Sequence, residues 1–218
     1  MDAGSLHSLN YLGTVQVYFA NEFPYTGGQQ DISMLSSSDK GVTWTKEVKD
    51  IVFRKSNRDG MPVAVLDGEH IILSIEDNVS GQFQPYIIKE TIKNAWSTVV
   101  SGTSNKRYNA LLKPLPANIY AGAPYLIKTD DGLFILSYQS TENRNNDWSK
   151  STMEVVVSST PNNFRNPTRP FNVPLNKEAL WNSLTDLGER KVAALSTTNF
   201  KGGNTGIWMI KGEIIDNK

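Results

Sequence analysis

Four stretches of this chain carry one short pattern: a β-rich run, a small residue, then a polar exit. They are Val17-Tyr18-Phe19-Ala20-Asn21-Glu22, Ile72-Leu73-Ser74-Ile75-Glu76, Ile135-Leu136-Ser137-Tyr138-Gln139 and Ala194-Leu195-Ser196-Thr197-Thr198. Aligned on Ala20, Ser74, Ser137 and Ser196, successive copies lie 54, 63 and 59 residues apart. The middle pair agrees further upstream, where Gly60-Met61-Pro62 and Gly122-Ala123-Pro124 each open a strand. Each of those strands then turns at Asp-Gly (Asp67-Gly68 and Asp131-Gly132), a favoured hairpin dipeptide. Units of this size cannot bury an apolar face alone and must stack on their neighbours. Leu180, Leu184 and Leu187 could share a helix face, but the repeat register makes Leu180 to Leu184 a strand. The expectation is an all-β fold in one domain over residues 1–218, its repeats arranged as blades.

Residues Ser37 to Trp44 sharpen that expectation, because they read S-S-D-K-G-V-T-W. Asp39 is placed to accept backbone N–H bonds within its own turn, and Gly41 to supply a left-handed backbone position. Thr43 and Trp44 are expected to start the next strand with the indole buried. Thr91 to Val100, with Trp96, and Pro161 to Phe164 read as similar turns without the acid. The loop from Pro161 to Pro174 holds four of the ten prolines and is expected to be extended and exposed.

Composition narrows the chemistry. Twenty-two basic residues balance 22 acidic ones, so no global field draws the chain to nucleic acid or an anionic membrane. There is no cysteine, which removes disulfides, thiolate metal sites and thiol nucleophiles. With only His7 and His70, a histidine metal site or a Ser-His-Asp triad has almost nothing to be built from, and no cofactor or metal is implied. No apolar run approaches the ~20 residues of a membrane span, and no basic-then-apolar leader opens the chain. Catalysis, if present, falls to carboxylates, Tyr and Arg.

The spacing S-x-D-x-G-x-T-W resembles the Asp box of sialidase-type β-propellers. Arg58-Asp59-Gly60-Met61-Pro62, Ile75-Glu76-Asp77-Asn78 and Tyr120-Ala121-Gly122-Ala123-Pro124-Tyr125 are similar to bacterial sialidase-like proteins related to the exo-arabinanase glycoside hydrolases. Ser137 to Glu142, Trp181-Asn182-Ser183-Leu184 and Gly206-Ile207-Trp208 fit the same group. The resemblance implies a β-propeller of sialidase type, with about four blades present of a five- or six-bladed ring and N-terminal blades missing. It also implies export to the periplasm or medium and a glycan partner. An open ring would leave a strand edge through which copies could self-associate.

Related exo-arabinanases use two glutamates, and Glu76 resembles their acid/base in position. The segment that would carry their nucleophile reads Ala3-Gly4-Ser5 here, without Glu. Glu22 holds the place of Glu76 one repeat earlier and is the candidate partner. Paired carboxylates are what glycoside hydrolysis needs, at roughly 5–5.5 Å for retention and 6.5–9.5 Å for inversion. Arg58, Asp59, Asp77, Tyr138 and Arg107 are candidate substrate contacts, with Arg58, Arg107 and Arg144 available to a sugar carboxylate. Tyr120 and Trp148 offer further rings, and Asp31 a polar contact. Ion pairing of these groups with Arg54, Arg58 or Arg107 is the plainer alternative. Two readings follow: an exo-acting glycosidase, or a non-catalytic carbohydrate-binding or interaction propeller with a degenerate site.

Overall fold

The computed structural model describes residues 7–21, 29–46, 49–54, 57–78, 81–142, 147–165, 179–198 and 206–215. They form four antiparallel meanders in chain order. The first blade comprises β1 (His7–Tyr11), β2 (Thr14–Asn21), β3 (Asp31–Ser37) and β4 (Lys49–Val52). The second comprises β5 (Asp59–Asp67), β6 (His70–Asp77), β7 (Gln84–Thr91) and β8 (Arg107–Asn109). The third has β9 (Ala121–Lys128), β10 (Phe134–Ser140) and β11 (Thr152–Ser158). The fourth has β12 (Leu180–Gly188), β13 (Lys191–Thr198) and β14 (Gly206–Glu213). Among the described residues no helix is long and apolar enough to cross a membrane.

Period-two alternation sends successive side chains of a strand to opposite faces, and each face meets a neighbouring blade. Along β6, Ile71, Leu73 and Ile75 pack with Tyr18, Ile32 and Trp96 between the first two blades, while Ile72 enters the layer between the second and third. Along β10, Phe134, Leu136 and Tyr138 share that second layer, and Ile135 packs with Leu184, Val192 and Ala194 in a third. Three apolar layers thus join four blades in a row. Each fully buried Ile or Leu contributes roughly 1.5–3 kcal/mol. The first layer is pinned by the Trp96 indole, which donates to the Tyr18 hydroxyl at 3.3 Å. Burial raises that phenol to a pKa of about 12.

The G-x-P repeat is a bulge. Gly60 pairs with Glu76 and Val63 with Ser74, so Met61 and Pro62 together oppose Ile75. Gly122 pairs with Gln139 and Tyr125 with Ser137, so Ala123 and Pro124 oppose Tyr138. The fourth blade repeats this, with Leu180 on Thr197 and Ser183 on Leu195. The first extra residue is left-handed each time: Met61 (φ 51), Ala123 (φ 47) and Trp181 (φ 54). A bulge is where a strand tolerates proline, which explains Pro62 and Pro124.

Two expectations are corrected. Bulge register makes Leu195, not Ser196, the counterpart of Ser74 and Ser137, so the fourth copy is shifted by one residue. The Leu-Ser pair there imitates the earlier copies while the pleat reverses its faces. Ser196 is buried, and Leu195 is 43% exposed, level with Met209 (59%) and beside Ile207 (78%). Second, the Ser37–Trp44 turn is built as expected but ends differently. The Ser37 hydroxyl and the Thr43 backbone N–H donate to Asp39 Oδ1 at 2.7 and 2.8 Å, and the Thr43 hydroxyl donates to Oδ2 at 2.6 Å. Gly41 has φ +90°. Trp44, however, starts no strand and is 40% exposed, because β4 begins only at Lys49.

Candidate functional site

The ends of β6 and β10 and the starts of β5, β9 and β12 lie at one end of the blades, and Glu76 stands among them. Its Oε2 accepts the backbone N–H of Ala123 at 2.7 Å, across the boundary to the third blade. The bulge makes this possible by turning that N–H out of its own ladder. The next boundary repeats the contact, since Gln139 Oε1 accepts the Trp181 N–H at 3.1 Å. Glu76 and Gln139 therefore fill one repeated position, each tying its blade to the bulge of the next.

Two glycines make room for the Glu76 carboxyl. A β-carbon at Gly122 would stand 2.6 Å from Glu76 Oε2 and 2.2 Å from the Tyr120 hydroxyl oxygen. At Gly60 it would stand 3.2 Å from Glu76 Oε1 and 2.6 Å from the side-chain oxygen of Gln30. Both glycines therefore answer to close approach. Glu76 keeps part of its surface open, yet the protein crowds it enough to shift its proton affinity. Burial pushes its pKa up, against the Ala123 N–H bond and the positive charge of Arg58. Tyr120 also titrates high, mainly through burial and then through the charge of Glu76. Its oxygen accepts from Gln139 Nε2 at 2.8 Å. The result is a polar chain at the mouth: Glu76, Tyr120, Gln139 and the backbone of Trp181, whose side chain is 57% exposed.

The remaining candidates separate. Asp59 starts β5 and Asp77 ends β6, opposite each other, and both are fully buried. Arg107 Nη1 reaches Asp59 Oδ1 at 2.8 Å and Asp77 Oδ2 at 2.6 Å. Arg54 Nη2 lies 3.0 Å from Asp59 Oδ1 and also donates to the Arg58 carbonyl at 2.7 Å. These four charges form a buried network beside Arg58 and the start of β5. Arg58 is partly exposed and close enough to Glu76 to act on its charge. Tyr138 is buried in the layer between the second and third blades and presents no ring face to solvent. Asp31 is buried at the start of β3, opposite Asn21. Trp148 is 55% exposed, as a sugar platform would be. Glu22 and Arg144 lie outside the described residues.

Sequence reasoning missed three parts of this arrangement. Arg54 was legible only as a generic ion-pair partner, and its role depends on the fold setting it against Asp59 and the Arg58 carbonyl. Gln139 stood in the repeat but carried no chemical label. Trp181 belonged to a recognised stretch, yet only the bulge puts its side chain at the mouth. Among the described residues no group of three or more His, Asp or Glu could hold a metal ion.

No protein-family model matches the chain, and no curated protein matches it by sequence. Solved structures do match its fold. A thermostable family-43 glycoside hydrolase aligns at TM-score 0.66 and 14% identity, covering 99% of this chain and 73% of that one. The endo-arabinase of Bacteroides thetaiotaomicron aligns at TM-score 0.65 and 13% identity, covering 100% and 78%. A Trypanosoma rangeli sialidase aligns at TM-score 0.63 and 11% identity, covering 95% of this chain and 36% of that one. At these identities the likeness is one of fold, and the fold is that of the arabinanase and sialidase propellers.

Proposed function

We propose that this chain is a glycosidase-like propeller acting on terminal sugars of glycans, with Glu76 as the acid/base. The observation that carries this reading is the repeated bulge contact. Gln139 holds the Trp181 N–H with a neutral amide, so the fold does not require an acid at that position. Glu76 holds the Ala123 N–H with a carboxyl whose burial raises its pKa, the property a general acid needs. Arg58 beside it, Trp148 and Trp181 would contact the sugar, and Glu22 would supply the second carboxylate. Asp59, Asp77 and Arg107 would act by holding Arg58 and Gly60 in place. Action on exposed glycans implies a protein working outside the cytoplasm.

One observation favours the second reading, a carbohydrate-binding propeller without turnover. Asp77, next to Glu76 in the chain, and Asp59, its partner across the β5–β6 ladder, are both engaged by arginines. The open face of Leu195, Ile207 and Met209 would serve self-association, and a concentration-independent monomer on a sizing column would remove that idea. The test of the main reading is a panel of chromogenic glycosides, sialosides and arabinosides included, with wild type beside Glu76→Gln. Turnover abolished in the variant supports the enzyme. A folded wild type that turns over no substrate yet binds sugar leaves the binding propeller.

A further inference from the structure

A cleft of about 400 Å³ opens at the opposite end of the blades, between the outer strands of the second blade and the β9–β10 hairpin and post-β11 turn of the third. Its volume falls within the range of about 300–1,000 Å³ typical of small-molecule sites. Asp67 and Gly132, from the two Asp-Gly hairpins, line its axial side. Ile87 and Phe134, almost fully buried, form an apolar floor. Tyr108 lines the outer side with its side chain 42% exposed. Thr160 and Asn162, on the turn after β11, add hydroxyl and amide groups to the rim.

The charge in this cleft is unequal. Lys128 Nζ lies 2.8 Å from Asp67 Oδ1 and 5.6 Å from the centre of the Phe134 ring, so its charge is largely answered within the protein. Lys89, on the exposed side of β7, has no ion-pair or hydrogen-bond partner for its ammonium among the described residues. Two ammoniums against one carboxylate leave the cleft with a net positive charge. A fitting ligand must combine one anionic group, a ring with an apolar face for Tyr108, and hydroxyls for the rim. We propose that this cleft is a binding site for an acidic saccharide, its carboxylate held by Lys89 and a sugar ring stacked on Tyr108. Neutral sugars would leave the Lys89 charge unmet, and a bare anion would leave Tyr108 and the rim unused. The site is remote from Glu76 and does not depend on whether Glu76 performs chemistry.

Calorimetric titration with digalacturonate, a neutral disaccharide and inorganic phosphate tests the proposal on intact protein. Lys89 and Tyr108 are exposed, so Lys89→Glu and Tyr108→Ala should fold. Each is expected to weaken digalacturonate binding by about tenfold or more, the worth of one charge-assisted bond or one stacked ring. The neutral disaccharide should bind about tenfold more weakly. Binding that is unaffected by both cleft substitutions overturns the proposal. So does phosphate binding as tight as that of the sugar acid, which would mean a bare anion site.

Discussion

Replacing Glu76 with Gln should leave this protein at least as stable at neutral pH as it was before. Gln139 shows that a neutral amide oxygen can hold a bulge N–H at this position, at 3.1 Å, so the Ala123 bond need not be lost. The new amide nitrogen would replace Oε1, which borders the space over Gly60 that the Gln30 side-chain oxygen, an acceptor, also borders. What disappears is an ionisable group whose pKa burial has raised. For a carboxyl raised in the fold, the favourable contribution is complete below its unfolded pKa and lost as pH rises through the folded value. Wild type should therefore lose stability relative to the variant across that window, by at most about 1.4 kcal/mol per pH unit for one proton. Below the window the two proteins should agree within about 1 kcal/mol, the usual worth of one exchanged hydrogen bond. Urea unfolding of both proteins in steps from acid to neutral pH measures the difference directly, because all other titrating groups cancel. Parallel curves, or a variant less stable at every pH, would refute the argument.

Asp59→Asn removes a charge that two buried arginines share. Breaking one member of a buried ionic cluster costs about 3–5 kcal/mol, and a shift in the urea midpoint worth under 1 kcal/mol would show the cluster to be solvated. Gly122→Ala places a methyl 2.2 Å from the Tyr120 oxygen and 2.6 Å from Glu76 Oε2, and should cost about 1–3 kcal/mol in thermal unfolding while displacing both groups. A variant with wild-type stability would contradict the cradle. Asp39 titrates at about 2, held down first by the Thr43 hydroxyl, then the Thr43 N–H and the Ser37 hydroxyl. Its stabilising effect is complete above the ordinary carboxyl range and lost as pH falls through about 2. Asp39→Ala should thus melt below wild type at neutral pH, with the gap closing in acid, and a pH-independent gap would assign the loss to something other than this carboxylate.

The blade strands were legible because β2, β6, β10 and β13 each carry a short β-rich run with a polar exit, and because Asp-Gly fixes two hairpins. The G-x-P stretches announced strand starts, and they also encode the bulges, since proline and a preceding glycine tolerate the extra residue and the close approach. The register of the fourth blade was not legible. A one-residue slip preserves the Leu-Ser pattern, and only pairing through Leu180 and Ser183 distinguishes the two. Trp44 misled because an indole after a turn is apolar enough to suggest burial, while its exposure depends on where β4 begins. The Asp59–Arg107 contact joins the start of β5 to β8, 48 residues apart, and no local pattern records such a pairing.

The two oxygens of Glu76 have different surroundings, and this bears on what the residue can do. Oε2 is committed to the Ala123 N–H, a donor that would repel a proton placed on the same oxygen. A proton held by the raised pKa therefore resides on Oε1, which faces the space left by Gly60 and the oxygen of Gln30. On the proposed reading, a glycosidic oxygen must approach from the Oε1 side. Gln139, in the same place one blade on, is buried and bonds Trp181 through its amide oxygen and Tyr120 through its amide nitrogen. The repeat thus builds one contact twice, with an ionisable carboxyl at Glu76 and a neutral amide at Gln139.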